Sequence, residues 1–201
     1  EICACLVGSE MCIRDSPYME VFREKDLEVL YTYDTVDDYV LMHVGQYGEK
    51  NLVAADTGSV DLTASEEEEG DSSSDAEKKT ADLAEWMKGV LGDRVVDVKV
   101  SKRLVDSPAL VIDSSGMSSG MQRIVQMMDK EGKGFPGAKV LELNPKHPII
   151  TNMSALKEKD RELAGLVAQQ ILDNALLSAN LTVDTQSMVN RVYSILEKAF
   201  K

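Results

Sequence analysis

Apolar residues change their spacing from segment to segment along this chain, and each spacing predicts an element. In "TQSMVNRVYSILEKAF", Met188, Val189, Val192, Tyr193, Ile195, Leu196, Ala199 and Phe200 fall on a stripe roughly 160° wide, at about 100° per residue, with Asn190, Arg191, Ser194, Glu197 and Lys198 opposite. An amphipathic helix is predicted there. The segment before it places Leu163, Leu166, Val167, Ile171, Leu172, Leu176 and Leu177 around most of a helical circumference, the pattern of a helix covered on several sides. "AEKKTADLAEWMKGVLG" aligns Leu83, Trp86, Met87, Val90 and Leu91 and stops at Gly92, a residue suited to helix ends. Val36, Val40, Leu41 and Val44 repeat helically in "TVDDYVLMHVGQY", and "PYMEVFREKD" opens a short helix with proline in its first turn.

The runs between these helices are β-rich: "LEVLYTY", expected to be largely buried, then "NLVAAD", "RVVDVKVSKRL", "PALVID" and "KVLELN". "VDSP" supplies a turn between the third and fourth runs. The order predicts an α/β (α+β) fold: a small α/β unit over residues 17–60, then a mixed α/β domain over 81–201 that ends in helices. Two such terminal helices suit either a bundle shared by two copies or a hairpin within one chain, and the wheel leaves both open.

Charge sharpens the boundary. Of the formal net charge of -13, over half sits in one base-free stretch holding Asp61, Glu66, Glu67, Glu68, Glu69, Asp71, Asp75 and Glu77. With its serine triplet this stretch has too little apolar surface to order itself, so 61–80 is expected to be a flexible linker. The remainder is only mildly acidic and carries no basic stripe with interleaved aromatics, which argues against nucleic acid as a partner. Apolar content of 43% predicts a real core. No apolar run approaches the roughly 18 residues of a membrane-spanning helix. All three cysteines (Cys3, Cys5, Cys12) lie in "EICACLVGSEMCIRDS", so a disulfide framework is not expected. That opening has no clear period and no signal-peptide anatomy, and it resembles a translated sequencing junction; residues 1–16 are left out of the predicted fold.

Candidate chemistry is thin. "GKGFPG" matches G-x-G-x-x-G at Gly132, Gly134 and Gly137, yet it precedes a strand where a dinucleotide site must follow one. "GMSSG" matches the G-x-S-x-G turn of serine hydrolases, with Ser118 as nucleophile, His147 and Asp129 as the other members. "SSG", however, separates the serine from the strand end where a nucleophile elbow holds it. Histidines 43 and 147, one in each unit, are expected to be structural or solvent-facing. No catalytic residue, metal site or bound cofactor is expected in this chain. What stands out is a methionine-rich helix face: Met117, Met121, Ile124, Val125 and Met128 share about 100° of arc. Flexible thioethers repack against many shapes, which suits varied apolar partners as well as an ordinary core. A hydrolase, a passive structural dimer and a binding protein all remain open on these grounds.

Long strings narrow the choice. "SPYMEVFREKDLEVLYTYDTVDDYVLMHV", "SKRLVDSPALVID", "LELNPKHPII" and "NALLSANLTVDTQSMVNRVYSIL" resemble, in order, the end of the middle domain and the C-terminal domain of the heat-shock protein 90 chaperones, close to the bacterial HtpG type. The resemblance implies a cytoplasmic, homodimeric, ATP-driven chaperone that binds partly folded clients and cooperates with other chaperones. It implies a dimer interface at Leu172, Leu176, Val189, Val192, Tyr193, Leu196 and Phe200. Client contacts are implied at Met117, Met121, Ile124, Val125 and Met128, and at Asp38 and Tyr39, the latter standing where some bacterial members have tryptophan. Asp26 stands where the family often has glycine, at a predicted helix end. ATP and magnesium are implied for a nucleotide-binding domain, with its assisting arginine, upstream of these residues. The ending "EKAFK" lacks the acidic pentapeptide that docks tetratricopeptide cochaperones, so those are not expected.

Overall fold

Ser16 accepts from the Tyr18 amide and Pro17 takes the first helical position, so the chain enters a short 3-10 turn, Pro17–Met19, that runs into α1, Glu20–Glu24. These elements belong to a computed structural model that describes residues 2–7, 16–32, 34–55, 75–114, 139–179 and 181–200. The described residues fall into two compact units, one drawn from Glu1–Glu68 and Ile112–Lys139, the other from Glu69–Val111 and Val140–Lys201.

The first unit is a four-stranded sheet with helices. Strands β1 (Ile2–Val7), β2 (Val29–Thr32), β3 (Gln46–Tyr47) and β4 (Lys50–Ala54) lie in the order β2-β1-β4-β3. β1 pairs in parallel with both β2 and β4, and β3 pairs antiparallel with β4 through a tight turn. Contrary to the expectation that residues 1–16 lie outside the fold, Ile2–Val7 fill a central strand. Its residues, ICACLV, form an unbroken apolar run, which carries no alternation from which period could predict a strand. Helix α2 covers Thr35–Val44, as its spacing predicts. β2 is less buried than expected: Thr32 is enclosed but Leu30 is exposed. The core of this unit gathers Met19, Val21, Phe22 and Ala55, with Val29 and Tyr31 against it.

In the second unit the helix α3, Asp75–Leu91, starts inside the predicted linker, and Thr80 is already buried. Leu83, Met87 and Leu91 repeat every four residues on its inner face. Strands β5 (Asp97–Val100), β6 (Ala109–Asp113) and β7 (Lys139–Leu143) form a sheet in the order β5-β7-β6. β7 pairs in parallel with β5 and lies between the two strands that "VDSP" joins in sequence. Helices α4 (Pro148–Lys159), α5 (Arg161–Ser178) and α6 (Thr185–Ala199) complete the unit. α4 and α5 supply Ile150, Met153, Ala164, Ala168, Leu172 and Ala175 to the core.

Two strings far apart in sequence are stitched together here. Ser101 donates its hydroxyl to Glu142 at 2.7 Å, and Arg103 lies 3.4 Å from the same carboxylate oxygen. Asn144, almost fully enclosed, donates to the carbonyls of Val105 and Ser107 at 3.1 and 3.0 Å. Its side-chain oxygen accepts from the Lys146 amide, and its own amide donates to the Pro108 carbonyl. Both N–H donors and the oxygen of this buried side-chain amide are thus engaged, as burial requires.

Candidate functional site

The site is built on α6. Asp184 caps it, its carboxylate accepting from the Gln186 and Ser187 amides at 3.2 Å and from the Ser187 hydroxyl. That hydroxyl, followed by the Ser187 amide, holds the Asp184 carboxyl below its ordinary value. From there the helix lies against α5. Met188, Arg191, Val192, Ile195 and Lys198 are half-buried, a spacing that marks the face laid down.

Beside that face runs a second apolar strip, and it is exposed. Val189 is 45%, Tyr193 61%, Leu196 44% and Phe200 87% exposed. No residue of α6 is fully buried. Four large apolar side chains at i, i+4, i+7 and i+11 on one helix form a contiguous exposed patch of the kind that marks an interaction surface.

Polar ties hold the helix on its other flank. Asp173, in the middle of α5, is buried, and each of its carboxylate oxygens accepts from one arginine: Arg94, in the turn after α3, and Arg191 of α6. Removing one partner from an enclosed ion pair costs about 3–5 kcal/mol, because the remaining charge stays out of water. Lys198 reaches Glu162 at the start of α5, at 2.8 Å; that hydrogen bond raises the lysine's pKa, and its exposed partner makes it a weak tie.

Of the residues implied for a dimer interface, Val189, Tyr193, Leu196 and Phe200 share the uncovered strip and Val192 sits at the margin of the covered one. Leu172 and Leu176 are different: they are 0% and 5% exposed within their own chain. They offer no surface to a second copy, although Leu177 of the same helix is 42% exposed. Asp38 and Tyr39 fall in α2, with side chains outside the described residues. Met117, Met121, Ile124, Val125 and Met128 lie outside the described residues altogether, as do Ser118, Asp129 and the "GKGFPG" loop. The Arg94–Asp173–Arg191 group was missed by the hydrophobic pattern, which put Arg191 on a solvent face. A lone acid inside the apolar run "ILDNALL" is the signal that could have found it.

His147 bears on the hydrolase alternative. Its Nδ1 accepts from the Ile149 amide at 3.1 Å, capping α4 ahead of Pro148. A triad histidine instead donates from Nδ1 to its carboxylate. Among the described residues no cluster of His, Cys, Asp or Glu could hold a metal, and no helix is long and apolar enough to cross a membrane.

The sequence model of the family described as "Hsp90 protein" matches residues 5–201. The chain belongs to the Hsp90 family. Chaperone protein HtpG of Desulfitobacterium hafniense (strain Y51) is 42% identical over 192 residues, covering 94% of this chain and 30% of the relative. Chaperone protein HtpG of Desulfotalea psychrophila (strain LSv54 / DSM 12343) is 42% identical over 199 residues, 96% of this chain and 32% of the relative. The rat protein named heat shock protein 75 kDa, mitochondrial, is 35% identical over 192 residues, 92% of this chain and 27% of the relative. The chain thus spans about a third of the length of the Hsp90 relatives it matches. The HtpG-type strings noted in the sequence include both sides of the Asn144 stitch, so this Hsp90-family chain joins in space the segments that carry its likeness.

Proposed function

We propose that these residues form the dimerising, client-holding end of an HtpG-type molecular chaperone. Two copies pair through the strip Val189, Tyr193, Leu196 and Phe200, with Val192 at its edge, each α6 covering the other. The observation that carries this is the exposed apolar strip on α6 in a chain of the Hsp90 family. In the pair, Met117, Met121, Ile124, Val125 and Met128, with Asp38 and Tyr39, contact partly folded proteins. ATP and magnesium are assigned to a nucleotide-binding domain outside these 201 residues, so these residues hold clients and do not themselves hydrolyse nucleotide. A cytoplasmic location fits the HtpG relatives; the mitochondrial one fits an organellar location equally.

Light scattering on a gel-filtered sample tests the pairing. The expected mass is twice 22.1 kDa, falling to one copy in Leu196→Glu, since a charge placed in an apolar contact raises the dissociation constant by about 100-fold or more. A single-copy mass for the unaltered chain at micromolar concentration rejects it. For client holding, Met121→Ser with Ile124→Ser should weaken suppression of aggregation while the dimer mass stays the same.

A further inference from the structure

Helix α6 carries two apolar strips, and α5 covers only one. Met188, Val192 and Ile195 lie within roughly 60° of one another; the strip of Val189, Tyr193, Leu196 and Phe200 is centred roughly 110° further round the helix. Burial of apolar area has no direction of its own. Hydrophobicity alone therefore gives no reason for α5 to take the first strip, and the second, with its tyrosine and phenylalanine, is the larger.

Charge separates the two seatings. Arg191 and Lys198 share the flank that lies beyond the covered strip, away from the exposed one. As seated, Arg191 meets the buried carboxylate of Asp173, which Arg94 also holds, and Lys198 meets Glu162. A roll of roughly 110° that buried the second strip would carry Arg191 off the α5 face and strip an enclosed carboxylate of its best-buried partner. Arg94 would remain, but its side chain is 41% exposed against 10% for Arg191.

We propose that the Arg94–Asp173–Arg191 clamp sets the roll of α6, with Arg191 and Asp173 as positioning residues that keep Val189, Tyr193, Leu196 and Phe200 turned outward for a second copy of this chain. The partner rests on the pairing proposed above; the roll is a property of one copy and is tested in one copy.

In a chain with Cys3, Cys5 and Cys12 changed to serine, one cysteine is introduced as Leu196→Cys or Ile195→Cys. Thiol labelling is followed at nanomolar concentration, where association is suppressed, with circular dichroism alongside. Leu196→Cys should label roughly tenfold faster than Ile195→Cys, and adding Arg191→Met, which keeps the apolar stem and removes the charge, should bring that ratio to about one or below. Arg191→Lys, which keeps the charge, should restore most of the difference. A ratio unmoved by Arg191→Met with helicity intact overturns the proposal. Should Arg191→Met unfold, Arg191→Gln takes its place, and loss of helicity in both also overturns it, because the clamp would then be holding the fold and not choosing a seating. Dimer mass of the unaltered chain is measured separately: a single copy there removes the pairing and leaves the labelling result to stand. If the unaltered chain pairs and Arg191→Met changes its dissociation constant by less than about twofold, the clamp has no part in presenting the strip.

Discussion

At the scale of single residues, Asp26 shows what a departure from a family pattern means physically. It ends α1 with a φ of 49°, in the left-handed region that glycine occupies without strain. The Leu27 amide donates to the Phe22 carbonyl and the Asp26 amide to Arg23, the two bonds of a Schellman ending that wants glycine at this position. Asp26→Gly should therefore stabilise the first unit by about 0.5–1 kcal/mol, seen as a higher thermal midpoint. Asn144 works the other way. Asn144→Ala removes both donors from the Val105 and Ser107 carbonyls and should cost about 2–4 kcal/mol in a denaturant melt, most of it from carbonyls left without partners. The sequence made Asp26 visible because a helix end was predicted there; Asn144 was one polar letter after a strand, and nothing local gave away its partners 37 and 39 residues back.

At the scale of elements, helices were legible because their period is written in adjacent turns. α3 and α6 follow from the repeat of Leu83, Met87 and Leu91 and from the stripe ending at Phe200. Strand order was not, since parallel pairing such as that of β5 with β7 joins residues about 40 apart through a connection whose path no local pattern records. Leu172 and Leu176 mark the same limit: a wheel shows that a face must be covered and is silent on whether by its own chain. For α6 the cap is a pH-sensitive part. Because the folded Asp184 carboxyl titrates below its ordinary value of 3.8, its contribution is complete above that value and is lost as pH falls through the lower folded one. Far-ultraviolet dichroism should show α6 fraying only below about pH 4, and Asp184→Ala should show the same fraying at neutral pH.

At the scale of the whole molecule, pairing couples stability to concentration. If α6 is covered by a second copy, a tenfold rise in protein concentration should raise the thermal midpoint by roughly a few degrees, and Leu196→Glu should abolish that dependence. A flat midpoint in the unaltered chain would contradict the shared bundle. The stitching of Glu142 to Ser101 and Arg103, and of Asn144 to the carbonyls at 105, 107 and 108, has a consequence for descent. Those bonds fasten residues 101–108 directly to residues 142–144, so the two segments hold each other through enclosed polar groups that have no water to fall back on. A change at Ser101, Arg103, Glu142 or Asn144 alone strands the partner it leaves behind, so these four letters are expected to pass down a lineage together or to change together.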